Sequence, residues 1–182
     1  RPNVGTSTSA TIVDLVDADE PGILSNPKYR RTLVYGNILY ENSDGNRQVV
    51  HYGGDSGTVA KYRKGTLFFY HNTVVSTRTG RNTWLRLSSN DETCDARNNI
   101  IYVAGDGNQL ELLSENRGNL VLRSNWIKTN FVYSFDASGS GNVTEFETLT
   151  GSDPGFQDAN HLISFDFRLS GPLQPSASLA SY

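Results

Sequence analysis

Short apolar–polar–apolar triplets recur along this chain, and helical spacing of apolar residues is nearly absent. The triplets are Val13-Asp14-Leu15, Val50-His51-Tyr52, Leu85-Arg86-Leu87 and Leu110-Glu111-Leu112. Alternation with a period of two signals a strand whose apolar pair faces a core and whose polar residue faces out. A second motif follows each triplet, an Asn between apolar flanks. Its copies are Val34-Tyr35-Gly36-Asn37-Ile38-Leu39, Phe69-Tyr70-His71-Asn72-Thr73-Val74, Ala96-Arg97-Asn98-Asn99-Ile100-Ile101 and Leu122-Arg123-Ser124-Asn125-Trp126-Ile127. The first interval between these Asn residues is the longest, and it holds the polar stretch Glu41–Arg47, read as a loop insertion.

Phased repeats of this kind specify a solenoid. The pattern predicts an all-β fold, a right-handed parallel β-helix of three sheets and about four to six coils, each stacked about 4.8 Å from the next. The first sheet is expected over 12–16, 49–53, 84–88 and 109–113. The second is expected over 32–35, 67–70, 94–97 and 120–123, and the third over 38–40, 73–75, 100–102 and 126–128. Val34, Phe69, Ala96 and Leu122 then face inward from the second sheet, as do Leu39, Val74, Ile101 and Ile127 from the third. The recurring Asn is expected at the bend between those sheets, because Asn tolerates the left-handed region and stacked Asn side chains form ladders. Residues 1–137 are assigned to the coils. Residues 138–182, Gly- and Ser-rich and then Pro-rich, are assigned to a terminal coil and an irregular C-terminal cap of the same domain, leaving the helix from Ser138. The open N-terminal end calls for a cover, supplied by Arg1–Pro27, by upstream coils or by a partner.

Strand alternation places Asp14, His51, Arg86 and Glu111 in one outward column of the first sheet. Trp84 is expected outward beside it, and Asp55 and Glu115 lie where the strands turn. Tyr35, Tyr70, Arg97 and Arg123 form a second outward column, on the second sheet.

Composition narrows the function classes. Hydrophobic residues are 36% of the 182, Gly numbers 17, and the net charge is −3. Scattered Lys and Arg give no stripe for nucleic acid, and no apolar run reaches the roughly 20 residues that span a bilayer. One Cys, Cys94, allows no internal disulfide or zinc motif and reads as a buried hydrophobe. The chain begins at Arg1 and has no Met. It is therefore read as a processed chain, an excised domain or a fragment. Asn142-Val143-Thr144 matches a glycosylation sequon.

The stretch Tyr62-Arg63-Lys64-Gly65-Thr66-Leu67-Phe68-Phe69-Tyr70-His71-Asn72-Thr73-Val74-Val75 resembles a coil of secreted bacterial right-handed parallel β-helix proteins. So do Val50-His51-Tyr52-Gly53-Gly54-Asp55 and the tail segments Asp153-Pro154-Gly155-Phe156 and Asp166-Phe167-Arg168-Leu169. That group includes pectate-lyase-like and alginate-lyase-like, polysaccharide-degrading enzymes. The resemblance, over roughly 33–169, implies the C-terminal coils of such a protein, an extracellular or cell-surface setting and an acidic polysaccharide partner.

A lyase on uronic acids removes a proton beside a carboxylate, so it needs a base and a cation. His51 is the expected base, with Tyr52 or Lys61 as stand-ins, and Arg86 the carboxylate clamp, because its fork engages two oxygens. Asp14, Glu111, Asp55 and Trp84 are assigned to substrate binding, Trp84 by stacking on a sugar face. Ca²⁺ is the candidate cofactor at Asp55 and Glu115, although it takes roughly six to eight oxygens and these residues do not supply them; no metal ligand is assigned. A glycosidase needs two carboxyls a few ångströms apart. Asp14 and Glu111 would stand about 14 Å apart over three coils, and Asp55 and Glu115 about 10 Å apart over two. Two further classes remain open: a non-catalytic carbohydrate-binding module, and a structural solenoid such as an adhesin or a trimeric spike. The charged column also fits a plain solvated strand face with charges pairing across coils, the outward aromatics also fit packing under loops, and His71, in a turn beside Asn72, fits a structural role.

Overall fold

A computed structural model describes residues 4–7, 11–18, 20–158 and 166–169. A strand buries one face only, so the chain closes three parallel sheets around a shared core. Along the helix axis the first sheet stacks Val13–Leu15, Gln48–Tyr52, Asn82–Leu87 and Leu110–Ser114. The second stacks Arg31–Tyr35, Gly65–Tyr70, Glu92–Arg97, Asn119–Arg123 and Asn142–Phe146. The third stacks Val4–Ser7, Ile38–Glu41, Thr73–Ser76, Ile100–Val103, Trp126–Lys128 and Leu149–Gly151. Every pairing in these three sheets is parallel. The architecture is the three-sheet parallel β-helix that the repeat predicts.

The second and third sheets hold the predicted registers. Val34, Phe69, Ala96 and Leu122 pair in sequence, as do Leu39, Val74, Ile101 and Ile127. All of them but the partly buried Val34 are sealed in the core. Cys94 joins this core fully buried, and burial pushes its thiol far above the ordinary range, so it behaves as a small hydrophobe.

At the corner between these sheets stand Asn37, Asn72, Asn99 and Asn125, separated by 35, 27 and 26 residues. Each side-chain amide donates to the next Asn Oδ1, at 3.0, 3.3 and 2.8 Å. The second protons of Asn72, Asn99 and Asn125 go to the carbonyls of Val34, Phe69 and Ala96 at 2.8–2.9 Å. Each Oδ1 also accepts the backbone N–H of the Asn one coil earlier. The left-handed residue is not the ladder Asn, as expected, but its predecessor: Gly36, His71, Asn98 and Ser124 have φ between 51° and 68°, and Glu147, before Thr148, repeats the bend in the fifth coil. The bend therefore falls one residue earlier, which frees the Asn side chain to point along the axis.

The first sheet departs from simple alternation. Val49-Val50, Trp84-Leu85 and Leu112-Leu113 are buried doublets. Consecutive amides of Leu112 and Leu113 both donate to the chain above, to Val132 and Tyr133 carbonyls, where a regular strand would alternate. A bulge-like bend thus turns two neighbouring side chains inward. Two expectations fall with it. Trp84 does not face out: it is 1% exposed and packs edge-on to Phe69 at 5.8 Å. Glu111 pairs with Thr83 rather than Arg86, whose partner is Ser114. The Leu110-Glu111-Leu112 triplet matches the pattern, but the doublet Leu112-Leu113 sets the register. The outward columns are Asp14–His51–Arg86–Ser114 and Gln48–Thr83–Glu111.

The chain does not leave the helix at Ser138. Segment 131–133 continues the first sheet, and Asn142–Phe146 and Leu149–Gly151 complete a fifth coil. An antiparallel pair follows, Phe156–Asp158 with Asp166–Leu169. The rest of the expected cap, 159–165 and 170–182, lies outside the described residues. At the other end, Val4–Ser7 extends the third sheet, and Ile12, Val13, Val34 and Leu39 line a depression of about 390 Å³.

Candidate functional site

His51 and Arg86 do stand on neighbouring coils of the first sheet. Both are already engaged. His51 is 1% exposed, with Nδ1 2.9 Å from Asp14 Oδ1 and Nε2 2.8 Å from Ser88 Oγ. Asp55 lies 3.6 Å from the same Nδ1. The order Ser88–His51–Asp14 has the hydroxyl–imidazole–carboxylate connectivity of a nucleophilic relay. The hydroxyl, however, is sealed: Ser88 is 2% exposed and accepts the Gly54 N–H at 3.1 Å. A methyl group at Gly53 would stand 2.6 Å from Ser88 Cβ, so the Gly53-Gly54 backbone closes directly over it. Asp14, His51 and Ser88 clamp three successive coils together.

Arg86 bridges the two carboxylates predicted to hold a cation. Nη1 is 2.6 Å from Asp55 Oδ1, and Nε is 2.7 Å from Glu115 Oε1, off the N–H axis and so an ion pair rather than a hydrogen bond. The cation between Asp55 and Glu115 is thus a guanidinium. Among the described residues no cluster of three or more His, Cys, Asp or Glu has metal-holding geometry. Tyr52 is fully buried and donates to the Lys64 carbonyl at 3.0 Å; burial raises its phenol. Lys61 is exposed in the 3-10 turn Val59–Lys61 and has no ion pair among the described residues.

Farther along the same face is a groove of about 230 Å³. Arg47 and Arg81 contribute from the loops just before the first-sheet strands of two successive coils. Glu111, Ser114 and Glu115 follow from the next coil, and Phe135 and Asp136 from the fifth. The groove crosses four coils, about 14 Å at the solenoid repeat. Its acids are internally satisfied. Glu111, 3% exposed, accepts from Thr83 Oγ1 at 2.5 Å and from the Phe135 N–H at 3.0 Å. Glu115 faces Arg86 and Arg117. The Ser138 hydroxyl and amide hold the Asp136 carboxyl below its usual range. The arginines are not matched in this way. Arg81 stacks 4.5 Å over the Phe135 ring, which fixes its plane, and neither Arg47 nor Arg81 has an ion pair among the described residues.

Glu111 lines the groove in the column of Thr83, not in the column of Arg86 expected from the sequence. Arg47, Arg81, Phe135 and Asp136 were missed, because all four lie in loops outside the strand pattern. A signal was present in Asn46-Arg47-Gln48 and Gly80-Arg81-Asn82, which put an Arg at the same corner of successive coils. Comparisons of the chain with protein-family models, with curated proteins and with solved structures each give no match.

Proposed function

We propose that this chain is an extracellular carbohydrate-binding β-helix that holds an acidic polysaccharide in the first-sheet groove. The carrying observation is the pair of exposed guanidiniums of Arg47 and Arg81, without ion pairs among the described residues, in a groove that also holds the Glu115 and Asp136 carboxylates. A uronate residue fits that combination: its carboxylate suits the two arginine forks, and its hydroxyls donate to the exposed Asp136 carboxylate. The resemblance to pectate-lyase-like coils supports the same substrate class. Binding is favoured over β-elimination because both His51 nitrogens are occupied under a closed backbone and Arg86 lies between two carboxylates, so neither group is free to meet substrate.

The test mixes the chain with polygalacturonate and alginate, following binding heat and the absorbance of unsaturated sugar products together. Binding without an absorbance rise is expected, with Arg47→Ala and Arg81→Ala each weakening affinity about tenfold, in line with loss of one charge-assisted bond. An absorbance rise that His51→Ala abolishes would return the chain to the lyase class.

A further inference from the structure

The second sheet carries a feature that the groove does not explain. Its outermost outward column, in register over five coils, reads Tyr35, Tyr70, Arg97, Arg123 and Phe146. Tyr35 is 67% exposed and Phe146 45%, and Leu33 beside Tyr35 is 61% exposed. Large apolar side chains are rarely left open in a row without a use. The arginines between them differ. Arg97 is held bidentate by Asp95, at 2.9 and 2.6 Å, and lies 5.4 Å over the Tyr70 ring. Arg123 lies 4.4 Å over Phe146, and it has no ion pair among the described residues; its Nε is buried without a hydrogen-bond partner. Between Arg97, Arg123 and Phe146 is a depression of about 480 Å³, rimmed by the left-handed residues Asn98, Ser124 and Glu147.

We infer that this column is a second polysaccharide site, on a different sheet from the groove, which takes an anionic sugar chain lying along the helix axis. The inference rests on the carbohydrate reading of the groove for its ligand class and on separate residues for its site. Tyr35 and Tyr70, one coil apart, offer flat apolar surfaces to pyranose faces, and Phe146 closes the column three coils on. Arg123 supplies the unmatched charge for a carboxylate or a sulfate ester. A second copy of the chain suits this face less well, since two such columns meeting would bring their guanidiniums together. One molecule with sites on two sheets holds two polymer chains at once, so it cross-links them and gains avidity on long polymers.

The experiment uses the intact chain with polygalacturonate for carboxylate, dextran sulfate for sulfate ester and plain dextran as the neutral control. Retention on polymer-loaded gels and turbidity of polymer solutions are read together. Three variants are compared: Tyr35→Ala with Arg123→Ala, Arg47→Ala with Arg81→Ala, and all four combined. Tyr35, Arg47 and Arg81 are exposed and Arg123 is half-buried, and unchanged thermal melting confirms that each variant folds. Each two-residue variant is expected to keep retention, about five- to tenfold weaker, and to lose turbidity; the combined variant is expected to lose both. Whichever anionic polymer loses more retention in the Tyr35/Arg123 variant names the anion. Wild-type retention and turbidity in that variant would overturn the inference and leave the groove reading standing. Retention lost only in that variant would support the inference and sink the groove. A concentration-dependent dimer that the Tyr35/Arg123 variant abolishes would make the column a self-interface and overturn the polysaccharide site.

Discussion

The corner between the second and third sheets and the outer face of the first sheet are built on opposite principles. At the corner successive coils repeat one device, at Asn72, Asn99 and Asn125: a left-handed residue, then an Asn whose side chain bonds a neighbouring Asn, a carbonyl and a backbone N–H. The ladder amides themselves are spent inside the protein. On the first sheet each coil differs from the next, in its loop, its charges and its outward residues, and unmatched arginines remain. Repetition closes a surface to ligands, and breaks in the repetition open it. Function is therefore sought where the coils cease to be equivalent.

The largest expected effect tests whether the first sheet's irregularity is a true part of the core. Trp84 is the bulkiest inward residue of the doublets, packed on Phe69. Trp84→Ala should cost about 4 kcal/mol in chemical denaturation, as large-to-small core changes do. Trp84→Phe should cost far less, because the indole N–H has no partner to lose. If Trp84→Ala were nearly neutral, Trp84 would face solvent as the simple alternation predicts.

Next comes the ladder. Asn99→Ala removes its side-chain hydrogen bonds to Phe69 and Asn125 and leaves the buried Asn72 backbone N–H without its acceptor. A loss of about 2 kcal/mol is expected, from one orphaned buried N–H and the lost ladder bonds. Asn37→Ala, at the half-exposed end, should cost about 1 kcal/mol, because water replaces its partners. Equal costs at both positions would mean that the ladder is not graded by burial.

A third site lies where the third sheet approaches the first. Glu41 is fully buried, and burial raises its carboxyl from 4.5 to about 7, against a partial opposing pull from Arg78. The unfolded chain loses this proton near pH 4.5 and the folded chain near pH 7. In between the folded state binds more protons, so stability falls as pH rises through that window and levels off above it. The full change is worth up to about 3 kcal/mol. Glu41→Gln should flatten the profile and leave the protein more stable than wild type at pH 8, by about 2 kcal/mol after allowing for the lost attraction to Arg78.

Most of the fold was legible because it depends on period and on Asn. Val34, Phe69, Ala96 and Leu122 alternate cleanly, and their strands need no other information. The first sheet was only half legible. Leu110-Glu111-Leu112-Leu113 reads equally well in two registers, and only the bend at Leu112-Leu113 decides between them. The inward turn of Trp84 follows from the same bend, which no local alternation reveals. The groove was least legible: Arg47, Arg81 and Phe135 sit in loops, where sequence spacing does not convert into distance. Phe146 escaped notice because the Gly- and Ser-rich stretch before it looked like the end of the helix, whereas it is one short loop between coils.

The smallest effect separates the two regions of the first sheet's outer face most cleanly. Arg86 joins Asp55 and Glu115 through ion pairs whose carboxylates are partly exposed. Such pairs are worth roughly 1 kcal/mol or less and weaken with salt. Arg86→Ala should therefore lower stability by about 1 kcal/mol at low salt and by less in 1 M NaCl. It should also leave retention on polygalacturonate close to wild type. Arg81→Ala should do the reverse: unchanged melting, since the side chain is exposed, with weaker retention. If Arg86→Ala instead loses retention at unchanged stability, the guanidinium releases its carboxylates to a substrate. The clamp first read from the Leu85-Arg86-Leu87 triplet would then belong to the site, and the bridging of Asp55 and Glu115 would be its resting arrangement.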